Sequence, residues 1–263
     1  MIIENKVILI TGATGGIGRW LAILLAKKNA RLILVGRNES TLNKIKKKLN
    51  ANSQQPVHRT FVADLNFEDD RQTLLNFSSE IDILINLAGV NQLAIFEDMD
   101  DSDIQQIIQT NLISPMKLCH AFLPILKQRK KATIVNIGSI LGSIGIPGST
   151  AYCASKFGLR GFSESLRREL SDTNIDVVYV APRATNTGMN DDAANSLNKE
   201  LGNSVDSPTS VAKQIVSAIE QSNKNLYLGW PEKLFVRINA LFPKIVDATF
   251  KKQLPIIKQY SSR

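Results

Sequence analysis

The amino-acid sequence predicts an α/β fold, with a central parallel sheet of about seven strands doubly wound by helices on both faces. Three observations carry that prediction. Short apolar runs alternate with stretches whose apolar residues recur at helical spacing. The first run passes through a glycine-rich turn into a helix pattern. No repeat, linker or low-complexity segment interrupts the 263 residues, and a 43% hydrophobic composition supports one large core, so residues 1–263 are expected to form a single domain.

The first run, Val7 to Ile10, leads into Thr11-Gly12-Ala13-Thr14-Gly15-Gly16-Ile17-Gly18 and then into Leu21, Leu24 and Leu25 at helical spacing. Strand, glycine turn and helix in that order suit a pyrophosphate. Glycines at 12, 16 and 18 are expected to let the backbone approach such a ligand without Cβ interference, and the helix N-terminus offers N–H groups and a positive dipole end. An ordinary strand-to-helix turn would also carry glycines; the position at the start of a βαβ unit is what points to a dinucleotide.

The second run, Leu32 to Val35, ends at Gly36-Arg37-Asn38, where such units read the adenosine ribose. An acidic residue there would repel a 2′-phosphate. Gly36 instead leaves room and Arg37 offers a fork of donors, which favours NADP (NADPH) over NAD. Glu39 is close enough to complicate the choice, and Arg37 as a plain surface charge remains the alternative. Further strands are expected near Val57 to Val62 and Ile81 to Ile85.

A long amphipathic stretch follows, with apolar residues at Ile104, Ile107, Ile108, Leu112, Leu118 and Phe122. Pro115 has no N–H for the carbonyl of Asn111, four residues earlier, so that carbonyl needs another partner, such as a water. A proline kink that merely bends the helix is the other reading, and it is preferred for Pro124. The fifth run, Ile134 to Ile137, delivers Ser139 to the carboxyl edge of the sheet, where ligands bind in open α/β folds.

Tyr152 and Lys156, four residues apart, share one helix face. A fixed ammonium beside a phenol lowers the phenol's pKa toward the working pH and makes it a usable proton donor. Taken alone, a Tyr-x-x-x-Lys pair is more often a solvated face with one packed ring. Beyond it, a strip of small residues (Ala154, Gly158, Gly161, Ser165) would admit another helix, from a second subunit or from the same chain.

These residues together resemble the short-chain dehydrogenase/reductases, in their single-domain Rossmann subgroup of about 250 residues. The resemblance rests on Thr11-Gly12-x-x-x-Gly16-x-Gly18, Asn86-Leu87-Ala88-Gly89, Asn111, Ser139 and Tyr152-x-x-x-Lys156, and it covers nearly the whole chain. It implies a catalytic set of Asn111, Ser139, Tyr152 and Lys156. Tyr152 would be the general acid/base, Lys156 would hold the nicotinamide ribose and acidify the tyrosine, Ser139 would bond the substrate oxygen, and Asn111 would complete a water relay. The cofactor residues it implies are Gly12, Thr14, Gly15, Gly16, Ile17, Gly18, Arg37, Asn38, Asp64 and Leu65 beside the adenine side, then Asn86, Ala88, Gly89, Tyr152, Lys156, Pro182, Thr185 and Thr187. Members of the family commonly pair through the helix after the tyrosine, so a homodimer or homotetramer is expected. The chain departs from the family pattern at Arg183, where many members have a glycine after Pro182, and at Leu87, where an asparagine is commoner.

The sixth run, Val177 to Val180, precedes a segment 186–207 rich in Asn, Ser and Asp, with Met189, Leu197, Leu201 and Val205, which reads as a lid over the nicotinamide. A seventh run spans Asn225 to Gly229. In the tail, 231–263, Leu234, Phe235, Ile238, Leu241, Phe242, Ile245 and Val246 alternate with Lys233, Arg237, Lys244, Lys251 and Lys252, with a kink expected at Pro243. This amphipathic extension is too charged to span a bilayer. It would either pack on the core or a second subunit, or lie peripherally on a membrane.

Net charge is +8, without an aromatic-interleaved basic patch, so nucleic acid is not expected as a partner. His58 and His120 are too few for a metal site. Cys119 and Cys153 read as reduced thiols, and with no signal-like N-terminus they point to the cytoplasm. The expected activity is NADPH-dependent reduction of a carbonyl on a partly apolar small molecule (3-oxoacyl, sterol or other ketone), or the reverse alcohol oxidation. A catalytically idle, cofactor-sensing or interaction protein of the same fold is the alternative, and loss of a catalytic residue, which is not seen, would favour it.

Overall fold

Seven strands line up in the order β3-β2-β1-β4-β5-β6-β7, all parallel, in the computed structural model, which describes residues 1–51 and 58–261. They are β1 (Val7–Thr11), β2 (Arg31–Gly36), β3 (Arg59–Val62), β4 (Ile83–Asn86), β5 (Ala132–Ile137), β6 (Ile175–Ala181) and β7 (Asn225–Tyr227). All seven predicted runs form strands, although Val57 lies outside the described residues. The fourth begins later than its apolar run, at Ile83. Just before it, the buried carboxylate of Asp82 accepts from the Val7 N–H at 2.9 Å and meets Lys6 and Arg129 at 3.2 and 3.3 Å.

Period-two alternation divides each of the five central strands between two cores. Ile8, Ile10, Leu32 and Leu34 face α1 (Gly16–Ala26), α2 (Glu39–Ala51) and α8 (Pro208–Gln221). Val7, Leu9, Ile33 and Val35 face α3 (Glu68–Phe77), α5 (Ser114–Lys127) and α6 (Thr150–Glu169). A sheet apolar on both faces explains why the strands read as continuous apolar runs. Truncating any of these fully buried aliphatic side chains to alanine would cost about 2–5 kcal/mol. The chain order reverses between β1 and β4, which opens a crevice at the carboxyl ends of the strands.

Two features of the helices bear on the site. Between α4 (Asp101–Ile108) and α5 the backbone widens into one π-turn, Gln109–Ile113, in which the Ser114 N–H reaches the Gln109 carbonyl. Pro115, in the first turn of α5, denies Asn111 an ordinary helical bond, and the widened turn is the form the predicted opening takes. In the tail, the kink expected at Pro243 is a full break. Phe242 leaves helical conformation (φ −136°), and α9 (Glu232–Leu241) and α10 (Pro243–Ser261) are separate helices. Between β6 and α8, the segment read as a lid contains α7 (Asp192–Glu200), capped by the Asp191 carboxylate on the Ala194 N–H at 2.7 Å.

Candidate active site

The crevice holds a groove of about 700 Å³ and, adjoining it, a cavity of about 440 Å³. Gly12, Thr14, Gly15, Gly16, Ile17, Gly18, Arg37, Asp64, Leu65, Asn86, Ala88, Gly89 and Thr187 line the groove. Ser139, Tyr152, Lys156, Pro182 and Thr185 line the cavity, and Ile17, Leu87, Gly89, Asn91, Thr187 and Met189 border both. Of the predicted cofactor residues, Asn38 borders neither space. Its side-chain oxygen accepts from the Thr41 N–H at 2.8 Å and so serves the start of α2.

Glycines 12 and 18 line the groove and also serve close packing within the protein. Gly12 adopts φ +66°, and a Cβ there would sit 2.8 Å from the Ala88 backbone; a Cβ on Gly18 would sit 2.4 Å from the Gly12 carbonyl. Both glycines therefore let β1, the β4 turn and α1 pack closely. A Cβ on Gly16 would meet the Thr187 side chain at 2.9 Å, so this glycine lets the segment after β6 approach the turn. Gly36 likewise makes space for Thr14, whose methyl would lie 3.1 Å from an added Cβ.

Thr11 and Arg19, given no role of their own in the sequence reading, help to hold this frame. The Thr11 hydroxyl accepts from the Leu87 and Ala88 N–H groups at 3.0 and 3.1 Å and fixes the turn after β4. Arg19 and Arg37 both line the groove; Arg19 donates one bond to the Thr14 carbonyl, and Arg37 pairs with no described residue. No side chain caps the first turn of α1 and none of its residues is acidic, so the orphan N–H groups of that turn stay available to an anion. Two guanidinium groups and a bare helix N-terminus around a long groove fit a dinucleotide phosphate.

Asn86 reaches the groove only through its backbone. Its buried side chain donates to Asn136 at 2.8 Å and to the Cys119 sulfur at 3.3 Å, and Asn136 passes the chain on to Ser163. Asp64 lines the groove and turns its own backbone, accepting from the Asn66 N–H at 3.1 Å.

Asn111 is fully buried, and its amide clamps the neighbouring loop. It accepts from the Val90 N–H at 2.8 Å, donates to the Val90 carbonyl at 2.9 Å and donates to Ser155 at 3.1 Å. This ties the Asn86–Val90 turn to the helix that carries Tyr152 and Lys156. Ser139 emerges from β5, where its hydroxyl accepts from the Leu141 N–H at 3.1 Å. Tyr179 underlies it, fully buried, donating to the Ser139 carbonyl at 3.3 Å; a Cβ on Gly138 would collide with the Tyr179 hydroxyl and ring edge.

Lys156 is buried, donates to the Ile137 carbonyl at 3.0 Å and lies 5.6 Å from the Tyr152 ring centroid. Burial pulls its ammonium down to about 8. Burial also pushes the Tyr152 phenol up to about 12, and hydrogen bonding to Ser139 opposes that rise. In the protein alone, loss of solvent is the largest influence on the phenol.

Arg183, where the family pattern has glycine, is a clamp. Its guanidinium reaches Asp206 at 2.8 Å, both oxygens of Glu232 at 3.1 and 3.0 Å, and the Trp230 carbonyl at 3.3 Å. One side chain thus joins the end of β6 to the segment just before α8 and to α9. That segment is also pinned by backbone bonds between Asn186 and Asp206 and between Asp206 and Ala184.

The cavity wall is mostly apolar: Ile140, Ile144 and Ile146 come from the loop after β5, Leu197 and Leu201 from α7 and its end, and Ile238, Val246 and Phe250 from the tail. Of the two readings of the tail, core packing holds for this face. Gly158 also turns inward, since a Cβ there would lie 2.7 Å from Leu112, whereas Ala154, Gly161 and Ser165 stay exposed. Cys119 and Cys153 are free, buried thiols. Among the described residues no group of three or more His, Cys, Asp or Glu side chains could hold a metal.

The family profile described as short chain dehydrogenase matches residues 6–198, and the chain belongs to that family. It is an oxidoreductase family acting between alcohol and carbonyl groups. Among curated relatives, the mouse dehydrogenase/reductase SDR family member 7B is 30% identical over 255 residues, covering 92% of this chain and 79% of the relative. The ketoacyl reductase HetN of Nostoc sp. is 30% identical over 260 residues, covering 95% and 89%. Among solved structures, a short chain dehydrogenase from Burkholderia cenocepacia in complex with NADP shares the fold with TM-score 0.81 at 22% identity, covering 95% of this chain and 99% of that one. Another from Burkholderia phymatum, in complex with NAD, gives TM-score 0.84 at 21% identity, with 93% and 96% covered.

Proposed function

We propose that the protein is an NADPH-dependent reductase of a partly apolar ketone or aldehyde, with Asn111, Ser139, Tyr152 and Lys156 as its working set. The observation that carries this reading is the convergence of Ser139, Tyr152 and Lys156 where the basic groove opens into the apolar cavity. When bound, the dinucleotide supplies a hydride to the carbonyl carbon. Ser139 and Tyr152 hydrogen-bond the carbonyl oxygen, and Tyr152 gives that oxygen its proton. The phenol is protonated at neutral pH, as a donor must be, and Lys156 stabilises the phenolate that remains. Lys156 also lies close to Gly89, on the groove side, where it would hold the nicotinamide ribose. Asn111 positions this group by locking Val90 against Ser155.

The preference for NADPH is supported by Arg37 and Arg19 at the groove and by the lack of an acidic residue at the end of β2. The apolar wall supports a substrate with an extended hydrocarbon part, and a ketoacyl reductase among the relatives is consistent with that class. Exposed Ala154, Phe157, Gly161 and Ser165 on α6 support pairing of two subunits along that helix, which light scattering would measure. The test of the activity is a panel of aldehydes, ketones, sterols and 3-oxoacyl thioesters followed by NADPH absorbance. Tight NADPH binding without oxidation by any member of the panel would instead support the idle, cofactor-sensing reading.

A further inference from the structure

Helices α9 and α10 present two faces with opposite fates. Val236, Ile238, Val246 and Phe250 pack with Ile140, Ile144 and Ile146 to close the apolar cavity. On the other side Leu241, Phe242 and Ile245 are 72, 60 and 60% exposed, Trp230 is 71% exposed, and Leu234 and Phe235 are also exposed. Six large apolar side chains in one short segment exceed the scattered exposure of an ordinary surface. They are continuous with the cavity, because Phe235 and Ile245 belong to both: each is exposed and each lines the wall. The patch is therefore the rim of the cavity mouth.

The charge around the rim selects its partner. From 230 to 261 the chain carries six basic residues against two acidic ones. One of the acids, Glu232, is engaged by Arg183. Lys233, Arg237, Lys244, Lys251 and Lys252 are exposed, and none forms an ion pair among the described residues. An apolar ridge collared by unpaired cations matches the interface of an anionic bilayer, with side chains among the acyl chains and ammonium groups at the phosphates. A second copy of this chain would bring like charge against like. No described helix is long and apolar enough to cross a membrane, so contact is peripheral.

We propose that the α9–α10 junction docks on an anionic lipid surface and that the cavity opens toward it, so that an apolar carbonyl compound enters from the bilayer. The docking stands independently of catalysis; the entry route rests on the reductase reading. The test is sedimentation of the full-length protein with phosphatidylcholine vesicles, with and without about one third phosphatidylglycerol. Cosedimentation is expected with the anionic vesicles, weaker with the neutral ones, and reduced by about 0.5 M salt. The double variant Leu241→Asp/Phe242→Asp touches neither catalytic group nor cavity wall, and its partition should fall about tenfold or more while NADPH binding, read by fluorescence, is retained. Equal sedimentation of the variant would overturn the proposal, as would no binding to anionic vesicles. So would conversion of a wild-type oligomer to monomer by the same substitutions, which would assign the patch to a subunit interface. Loss of reductase activity on every substrate with vesicle binding intact would remove the entry route and leave the docking.

Discussion

Replacing Arg183 with alanine should loosen the mouth of the cavity by a measurable amount. The guanidinium makes three charge-assisted bonds to two carboxylates and one to a carbonyl, and the side chains of Arg183, Asp206 and Glu232 are 17, 15 and 23% exposed. Arginine at this position is held in its charged form first by its bond to Asp206. Paired groups this far from solvent lose more than surface ion pairs do, and two carboxylates would be left facing each other without their cation. After discounting for the remaining exposure, the loss is about 2–3 kcal/mol, or about 5–10 °C in Tm for a chain of this size. Calorimetry on Arg183→Ala, Glu232→Gln and the double variant measures it, and the cycle should be non-additive by at least about 1 kcal/mol because both changes break the same contact. The KM for an apolar ketone should rise more than kcat falls, since the segment 186–207 and α9 both line the cavity. A Tm within about 1 °C of wild type, or strict additivity, would refute the clamp.

Two further outcomes follow from the site. Lys156, depressed to about 8, loses its charge as pH rises through that value, so kcat/KM for reduction should fall above about pH 8, and Lys156→Arg should move the fall upward. Between that value and the ordinary lysine range the unfolded chain binds more protons, so the same group makes stability increase with pH there; a flat rate profile to pH 10 would contradict the assignment. Arg37→Asp should raise KM for NADPH at least about tenfold while changing NADH little, and steady-state kinetics with both cofactors would expose equal losses if no 2′-phosphate is read there.

Most of the fold is legible in the sequence because strands buried on both faces are continuous apolar runs, and all seven were readable from Val7 to Tyr227. The groove was readable for the same kind of reason, since a strand, a glycine turn and a helix can be placed in order. What hydrogen bonds decide was harder to see. Asn38 looks like a ribose contact and is a helix cap; glycines 12 and 18, which line the groove, also hold close chain packing; Thr11, quoted only as part of a motif, is the strut of the neighbouring turn. Arg183 was visible as a departure, but its partners lie 23 and 49 residues away, beyond the reach of local pattern. The tail's two faces were visible as amphipathicity, whereas which face closes the cavity depended on the break at Phe242. Spacing reveals a charged neighbour of the phenol, whereas the burial that pushes the Tyr152 phenol up to about 12 shows only in the structure.

The central claim is that the Tyr152 hydroxyl delivers the proton to the substrate oxygen, and the most direct measurement is single-turnover oxidation of bound NADPH by Tyr152→Phe. The account predicts cofactor affinity within about threefold of wild type and a rate lowered by about 10²–10⁴. A variant that turns over at the wild-type rate would contradict it.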